Sequence, residues 1–367
     1  MNTPNPASQP DTHENAIVTM QAIKYRIPGD VVNKATAELA DDERSALRWL
    51  HSYGSEHNLS MDELASLLKQ DSGKSYSRDS VYQALTGRRA ESGASLQPIV
   101  KAIERLRKIE EARAGANRAP FIETQLTKRI WKICETALNF QRIAFIYGQS
   151  QIGKSTALEE YQRTHNHGET IYVRMPARGS IGEFIRWLAK GLRISQGLKE
   201  WQLKERIFGA IDNRMLIIID QCHECFRSST YGDRSIATLL FIMEIFDRCG
   251  CGIVLVGTTE FERGMMDSRF SGTLKQLVRR GLPKPLRLPD KPTVANLNEF
   301  SAAYNLPPAT DAALALQSDT IRDHDLGIWL TTLQAGQKIA SKRKENMSWQ
   351  HVIAANAAFI SIGGEGK

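Results

Sequence analysis

The residues Gly148-Gln149-Ser150-Gln151-Ile152-Gly153-Lys154-Ser155-Thr156 place two glycines ahead of a lysine and a hydroxyl, which is the phosphate-cradling pattern G-x-x-x-x-G-K-[ST]. Glycine lets the backbone wrap so that successive N–H groups face phosphate oxygens. Lys154 then brings a cation to the β and γ groups, and Ser155 offers its hydroxyl to Mg²⁺. ATP and Mg²⁺ are the expected ligands. Downstream, Met215-Leu-Ile-Ile-Ile-Asp220 is an apolar run ending in an acid, where a nucleotide-binding fold keeps the carboxylate that orients the metal. Ser155 and Asp220 are therefore the expected metal-side residues. The next residue is Gln221, where many related ATPases carry a water-polarising glutamate. Glutamine can orient water but is a poor proton acceptor. Slow or partner-stimulated hydrolysis is expected, with Glu224 as the alternative acid.

Further hydroxyls and cations fall where phosphate chemistry can use them. Thr258 and Thr259 end the run Gly252 to Val256, and a hydroxyl there can reach a γ-phosphate or its attacking water; strand-end turn chemistry is the plainer alternative. Between Glu262 and Arg287 the basic residues Arg263, Arg269, Lys275, Arg279, Arg280, Lys284 and Arg287 face only Glu262 and Asp267. Arg279 and Arg280, at the end of a helical stretch, suit a guanidinium that crosses a subunit boundary to a neighbour's γ-phosphate. A solvated basic face or a nucleic-acid backbone contact fits them equally. Cys222-His-Glu-Cys225 has no second pair with ligand spacing, so its cysteines read as small buried hydrophobes.

These groups need scaffolding, and the sequence supplies it in blocks. The chain has 367 residues, a formal charge of +7 and five cysteines, enough for two or three domains in a reducing, cytoplasmic setting rather than a disulfide framework. Apolar runs are too short to span a bilayer, so no membrane partner is expected. Residues 1–40 are polar and Pro-containing and read as a flexible extension. Residues 41–112 carry short helical patterns. Ser60 and Glu63 form a capping box before Met61 to Leu68, and Ser77 to Gly87 ends on glycine, giving a helix-turn-helix-like pair. Its second helix and the residues just beyond it present Arg78, Gln83, Arg88 and Arg89 to bases and phosphates. Residues 113–122 read as a linker. Over 123–289, β-branched runs alternate with helical patterns, which predicts an α/β fold with a parallel sheet; residues 290–367 read as helical.

Taken together, the phosphate loop, Leu216 to Asp220, Val254-Leu-Val-Gly-Thr-Thr-Glu260, Gln276-Leu-Val-Arg279-Arg280 and Leu326-Gly-Ile-Trp-Leu-Thr-Thr-Leu333 resemble the P-loop AAA+ ATPases of DNA transposition, the Mu transposition protein B and TniB/TnsC group. The resemblance implies a parallel-sheet ATPase core with a C-terminal helical lid, behind a helix-turn-helix domain. It implies ATP bound between copies, a homo-oligomeric ring or helical filament on double-stranded DNA, and recruitment of a transposase or integrase. It makes Thr258 or Thr259 the γ-phosphate sensor and Arg279 or Arg280 the finger acting in trans. It also places Arg174, Arg178, Arg186 and Lys190 on the DNA-facing surface. Two other readings share the phosphate loop: an ATP-gated transcriptional regulator, and a secretion or cell-envelope ATPase indifferent to DNA.

Overall fold

The computed structural model of the chain describes residues 24–117, 121–165, 168–227, 236–323 and 326–364. Its β-branched runs become strands β1 (Ile143–Tyr147), β2 (Thr170–Arg174), β3 (Leu216–Asp220), β4 (Gly252–Gly257) and a short β5 (Leu286–Arg287), all parallel, in the order β2-β3-β4-β1-β5. Side chains alternate across a strand, and here both sides are apolar. Ile143, Phe145, Ile217, Ile219, Ile253 and Leu255 point into one core, whereas Ala144, Ile146, Leu216, Ile218, Val254 and Val256 point into the other. Each fully buried large aliphatic contributes roughly 1.5–3 kcal/mol, so burial on both faces holds the strands in register. That register sets Tyr147 beside Gly257 and Arg174 beside Asp220, so the loops after four strands open at one edge.

The first core is covered by α9 (Ile181–Gly191), α10 (Glu200–Ala210), α11 (Ala237–Cys249), α12 (Thr259–Met265) and α13 (Ser271–Arg279). The opposite core is covered by α7 (Gln125–Phe140) and α8 (Lys154–Thr164), continued by a helical lid of α14 (Val294–Ala303), α15 (Asp311–Asp323), α16 (Leu326–Arg343) and α17 (Trp349–Gly364). Trp329 anchors the lid: it is fully buried, and its indole N–H donates to the Leu297 carbonyl at 3.2 Å.

Ahead of the sheet lie α1 (Gly29–Thr36), α2 (Asp41–Glu56), α3 (Met61–Leu67), α4 (Arg78–Leu85), α5 (Arg88–Glu91) and α6 (Gln97–Asn117), sharing a separate core. The Ser60–Glu63 capping box forms as the sequence dictates, with Glu63 N–H on Ser60 Oγ at 3.2 Å and Ser60 N–H on Glu63 Oε2 at 2.7 Å. Residues 68–77 between α3 and α4 make a longer connection than a simple helix-turn-helix uses, closed by an antiparallel bridge from Lys69 to Ser75.

Two expectations change. The flexible extension assigned to 1–40 does not hold for residues 24–40; residues 1–23 lie outside the described set. Tyr25, Ile27 and Val32 are buried, and α1 is wedged between α2 and α10. A Cβ at Gly29 would lie 2.1 Å from the Leu192 carbonyl oxygen, so only glycine permits that approach. The linker assigned to 113–122 is also shorter, because α6 runs on to Asn117. The helical domain is bolted to the parallel-sheet core by Arg44 on Glu169 (2.8 Å), Arg48 on Asp212 (2.8 Å), Asn33 on the Ala210 carbonyl (2.5 Å) and Arg193 on Glu56. These partners are distant in sequence, so a composition reading has no view of them. Among the described residues no helix is long and apolar enough to cross a membrane.

Candidate nucleotide-binding site

The loop after β1 turns into α8 through Gln151 (φ 63°) and Gly153 (φ 89°), left-handed conformations that cost glycine nothing. Gly148 to Thr156 thereby wraps the N-terminus of α8, where free N–H groups and the helix dipole favour anions. Lys154 is 7% exposed, and its Nζ donates to the Gly148 carbonyl at 2.8 Å and the Gln149 carbonyl at 2.5 Å. Burial lowers its pKa, against an opposing pull from Asp220. A cation held in this way, with carbonyls as its direct partners, is poised to take an anion.

Asp220, at the end of β3, is 2% exposed. Its Oδ2 accepts from Ser155 Oγ at 2.6 Å and from Tyr172 OH at 2.9 Å, while Oδ1 accepts from the Gln221 N–H at 2.7 Å. The two residues expected on the metal side are thus in direct contact, and their hard oxygen donors suit Mg²⁺. Gln221 sits at φ 60°, starting the 3-10 turn Cys222–Phe226 on which Cys222 and Cys225 are buried. Glu224 on that turn accepts from Arg178 N–H at 3.2 Å and from Arg227 Nη1 at 2.7 Å. Thr258 caps α12, its Oγ accepting from Glu260 N–H at 3.3 Å.

Lys154, Ser155, Tyr172, Asp220, Gln221, Glu224, Arg227 and Thr258 border one cleft of about 1230 Å³. Apolar side chains also line it: Phe121, Ile122 and Leu126 around the start of α7, and Phe300, Tyr304, Leu326 and Leu330 of the lid. Such a lining suits a flat base. The sequence reading missed this lining, although two apolar residues, Phe121 and Ile122, just upstream of the Thr124 cap of α7 were the available signal. It also missed Tyr172 and Arg227.

The remaining candidates are scattered. Arg280 makes a two-point ion pair with Asp247 (2.6 and 2.8 Å), whereas Arg279 at the end of α13 is exposed. Arg186 and Lys190 project from α9, flanking Trp187, which is 44% exposed. Arg178 is exposed beside them in sequence. Arg174 instead belongs to the cleft's edge, donating from Nη2 to Glu159 at 2.5 Å and from Nε to Tyr172 OH at 3.3 Å. Arg78 and Gln83 are exposed on α4; Arg88 lies 5.8 Å over the Tyr82 ring, and Arg89 donates to the Ser95 carbonyl at 2.9 Å.

The AAA domain family matches residues 139–265, which run from the end of α7 to the end of α12 and include the phosphate loop, Asp220 and Thr258. The Mu-like prophage FluMu DNA transposition protein B of Haemophilus influenzae is 32% identical over 89 residues, 24% of this chain and 31% of that protein. The ATP-dependent target DNA activator B of Escherichia phage Mu is 32% identical over 106 residues, 28% of this chain and 33% of that protein. The chain therefore spans about a third of the length of these relatives. Among solved structures, the Aeropyrum pernix ORC2 protein aligns with a TM-score of 0.44 and 17% identity over 65% of this chain and 69% of that one. Residues 139–265 thus match the AAA domain family, and over about a quarter of its length the chain is similar to the B proteins of Mu-like DNA transposition.

Proposed function

We propose that the chain binds ATP in the cleft between β1, β3 and the lid, assembles on duplex DNA as a ring or helical filament, and directs or activates a transposase. One observation carries the reading: the buried Lys154 cation and the Ser155–Asp220 contact at 2.6 Å meet at the C-terminal edge of a parallel sheet, where α/β folds receive nucleotides. Lys154 would hold the β- and γ-phosphates, and Ser155 with Asp220 would hold Mg²⁺, which when bound neutralises phosphate charge. Gln221 or Glu224 orients the attacking water, Thr258 faces the terminal phosphate, and Arg279, exposed at the end of α13, reaches a neighbour's nucleotide.

ATP at a subunit boundary favours assembly by mass action, and assembly multiplies weak phosphate contacts into tight, salt-sensitive DNA binding. Arg178, Arg186 and Lys190 of the core, with Arg78, Gln83, Arg88 and Arg89 of the helical domain, supply those contacts. Arg174, the remaining candidate, rests on Glu159 and Tyr172 at the cleft's edge, an exposed pair of the kind that holds weakly. The test is binding to a long duplex of arbitrary sequence with ATP and with ADP. The reading expects ATP-dependent, salt-sensitive binding without one preferred sequence; a single preferred operator, or indifference to DNA, rejects it.

A further inference from the structure

A triphosphate differs from a diphosphate by one further charged phosphoryl group, so a cleft that distinguishes them keeps a cation where that group lies. Among the described residues lining the cleft, the permanent cations are Lys154, Arg163 and Arg227. Arg163 is held by Glu160 through two hydrogen bonds, 2.8 Å from Nε and 2.5 Å from Nη2, near the outer end of α8. The lid lines the cleft with Phe300, Tyr304, Leu326, Gly327, Leu330 and Gln334, none of them basic. Arg227 closes the 3-10 turn that begins after Asp220, and shares the lining with Gln221, Glu224 and Thr258. Its guanidinium is held by two carboxylates, Glu224 at 2.7 Å and Glu260 at 3.5 Å, with the side chain 54% exposed. Exposure leaves it room to turn, and exposed pairs of this type hold weakly.

Building on the nucleotide-binding reading above, we propose that Arg227 is this chain's own ligand for the terminal phosphate of a nucleoside triphosphate, kept by Glu224 and Glu260 until the nucleotide arrives. A phosphate offers the planar guanidinium a more highly charged, two-point partner than either carboxylate. The exchange releases Glu224 Oε1, while Oε2 still accepts the Arg178 N–H at 3.2 Å. The carboxylate set free on the phosphate side is therefore the one that ties down the loop carrying Arg178.

The experiment is equilibrium binding of ADP and of a non-hydrolysable ATP analogue, both with Mg²⁺ and without DNA, to the full chain and its variants. The proposal expects Arg227→Ala to weaken the analogue by about tenfold or more, the scale of a lost charge-assisted contact, while ADP binding stays within about twofold. Arg227→Lys should recover part of the loss, and Glu224→Gln, which removes one resting partner, should tighten the analogue. Equal weakening of both nucleotides by Arg227→Ala, or no change in either, overturns the assignment. Failure of the unaltered chain to bind any nucleotide overturns the nucleotide reading beneath it.

Discussion

Replacing Lys154 with methionine keeps most of the side-chain volume and removes the charge, which separates the role of the cation from that of the stem. Without nucleotide, two effects oppose each other. The change abolishes the cost of holding a cation at 7% exposure, the cost that lowers its pKa. It also strips a donor from the buried Gly148 carbonyl and the exposed Gln149 carbonyl, where losing a buried partner costs about 1–3 kcal/mol. Stability of the nucleotide-free chain should therefore move by no more than about 2 kcal/mol. With ATP the terms no longer cancel. Two hydrogen bonds to charged oxygens, at about 1.5–3 kcal/mol each, are lost, so affinity falls by roughly two decades or more. Calorimetry and unfolding with and without Mg-ATP read both quantities. ATP at a hundred times its dissociation constant stabilises the unaltered chain by about 2.7 kcal/mol; at the same concentration a hundredfold weaker site gains only about 0.4 kcal/mol. A Lys154→Met chain that binds ATP within threefold of the original would refute the reasoning.

Gln221→Glu introduces a proton acceptor beside Asp220 and should raise basal ATP turnover, measured by phosphate release; an unchanged or lower rate would show that water is positioned elsewhere. Burial, with Arg193 nearby, pushes the His51 imidazole down to about 3, so the unfolded chain takes up a proton below about pH 6.5 that the folded chain refuses. The resulting stability is present above pH 6.5 and is lost at about 1.4 kcal/mol per pH unit as pH falls towards 3. His51→Asn should flatten denaturant-measured stability between pH 7 and 5, and an unaltered acid slope would contradict this. Arg279→Ala should depress DNA-stimulated turnover at least tenfold, on the scale of a trans-acting finger. Arg280→Ala, which breaks a partly exposed pair with Asp247, should cost under about 1 kcal/mol of stability and leave turnover near normal. The reverse order would exchange their roles.

The phosphate loop and Asp220 were legible because their chemistry is local: the glycine positions, the lysine and the strand-ending acid lie in two short segments, and the sheet register alone brings Ser155 and Asp220 together. The double-faced strands announced themselves by composition. What stayed hidden depends on partners far along the chain. Leu326 and Leu330 join Phe121 and Ile122 in lining the cleft only after the lid folds back, and no spacing rule links them. The helix at Gly29–Thr36 exists because the core of the helical domain gives Val32 a place to bury. Arg279 and Arg280 are adjacent and identical in type, and only the position of Asp247 distinguishes them. Arg174 likewise looked like one more exposed cation until Glu159 and Tyr172 were found beside it.

Electron microscopy of the purified chain on long duplex DNA, with ATP, ADP and a non-hydrolysable analogue in parallel, puts the account to its most direct trial. Ordered assemblies with ATP or the analogue, dispersing with ADP and missing for Lys154→Met, are the predicted result. Particles that stay single in every nucleotide, or assemblies equally abundant with ADP, would contradict it.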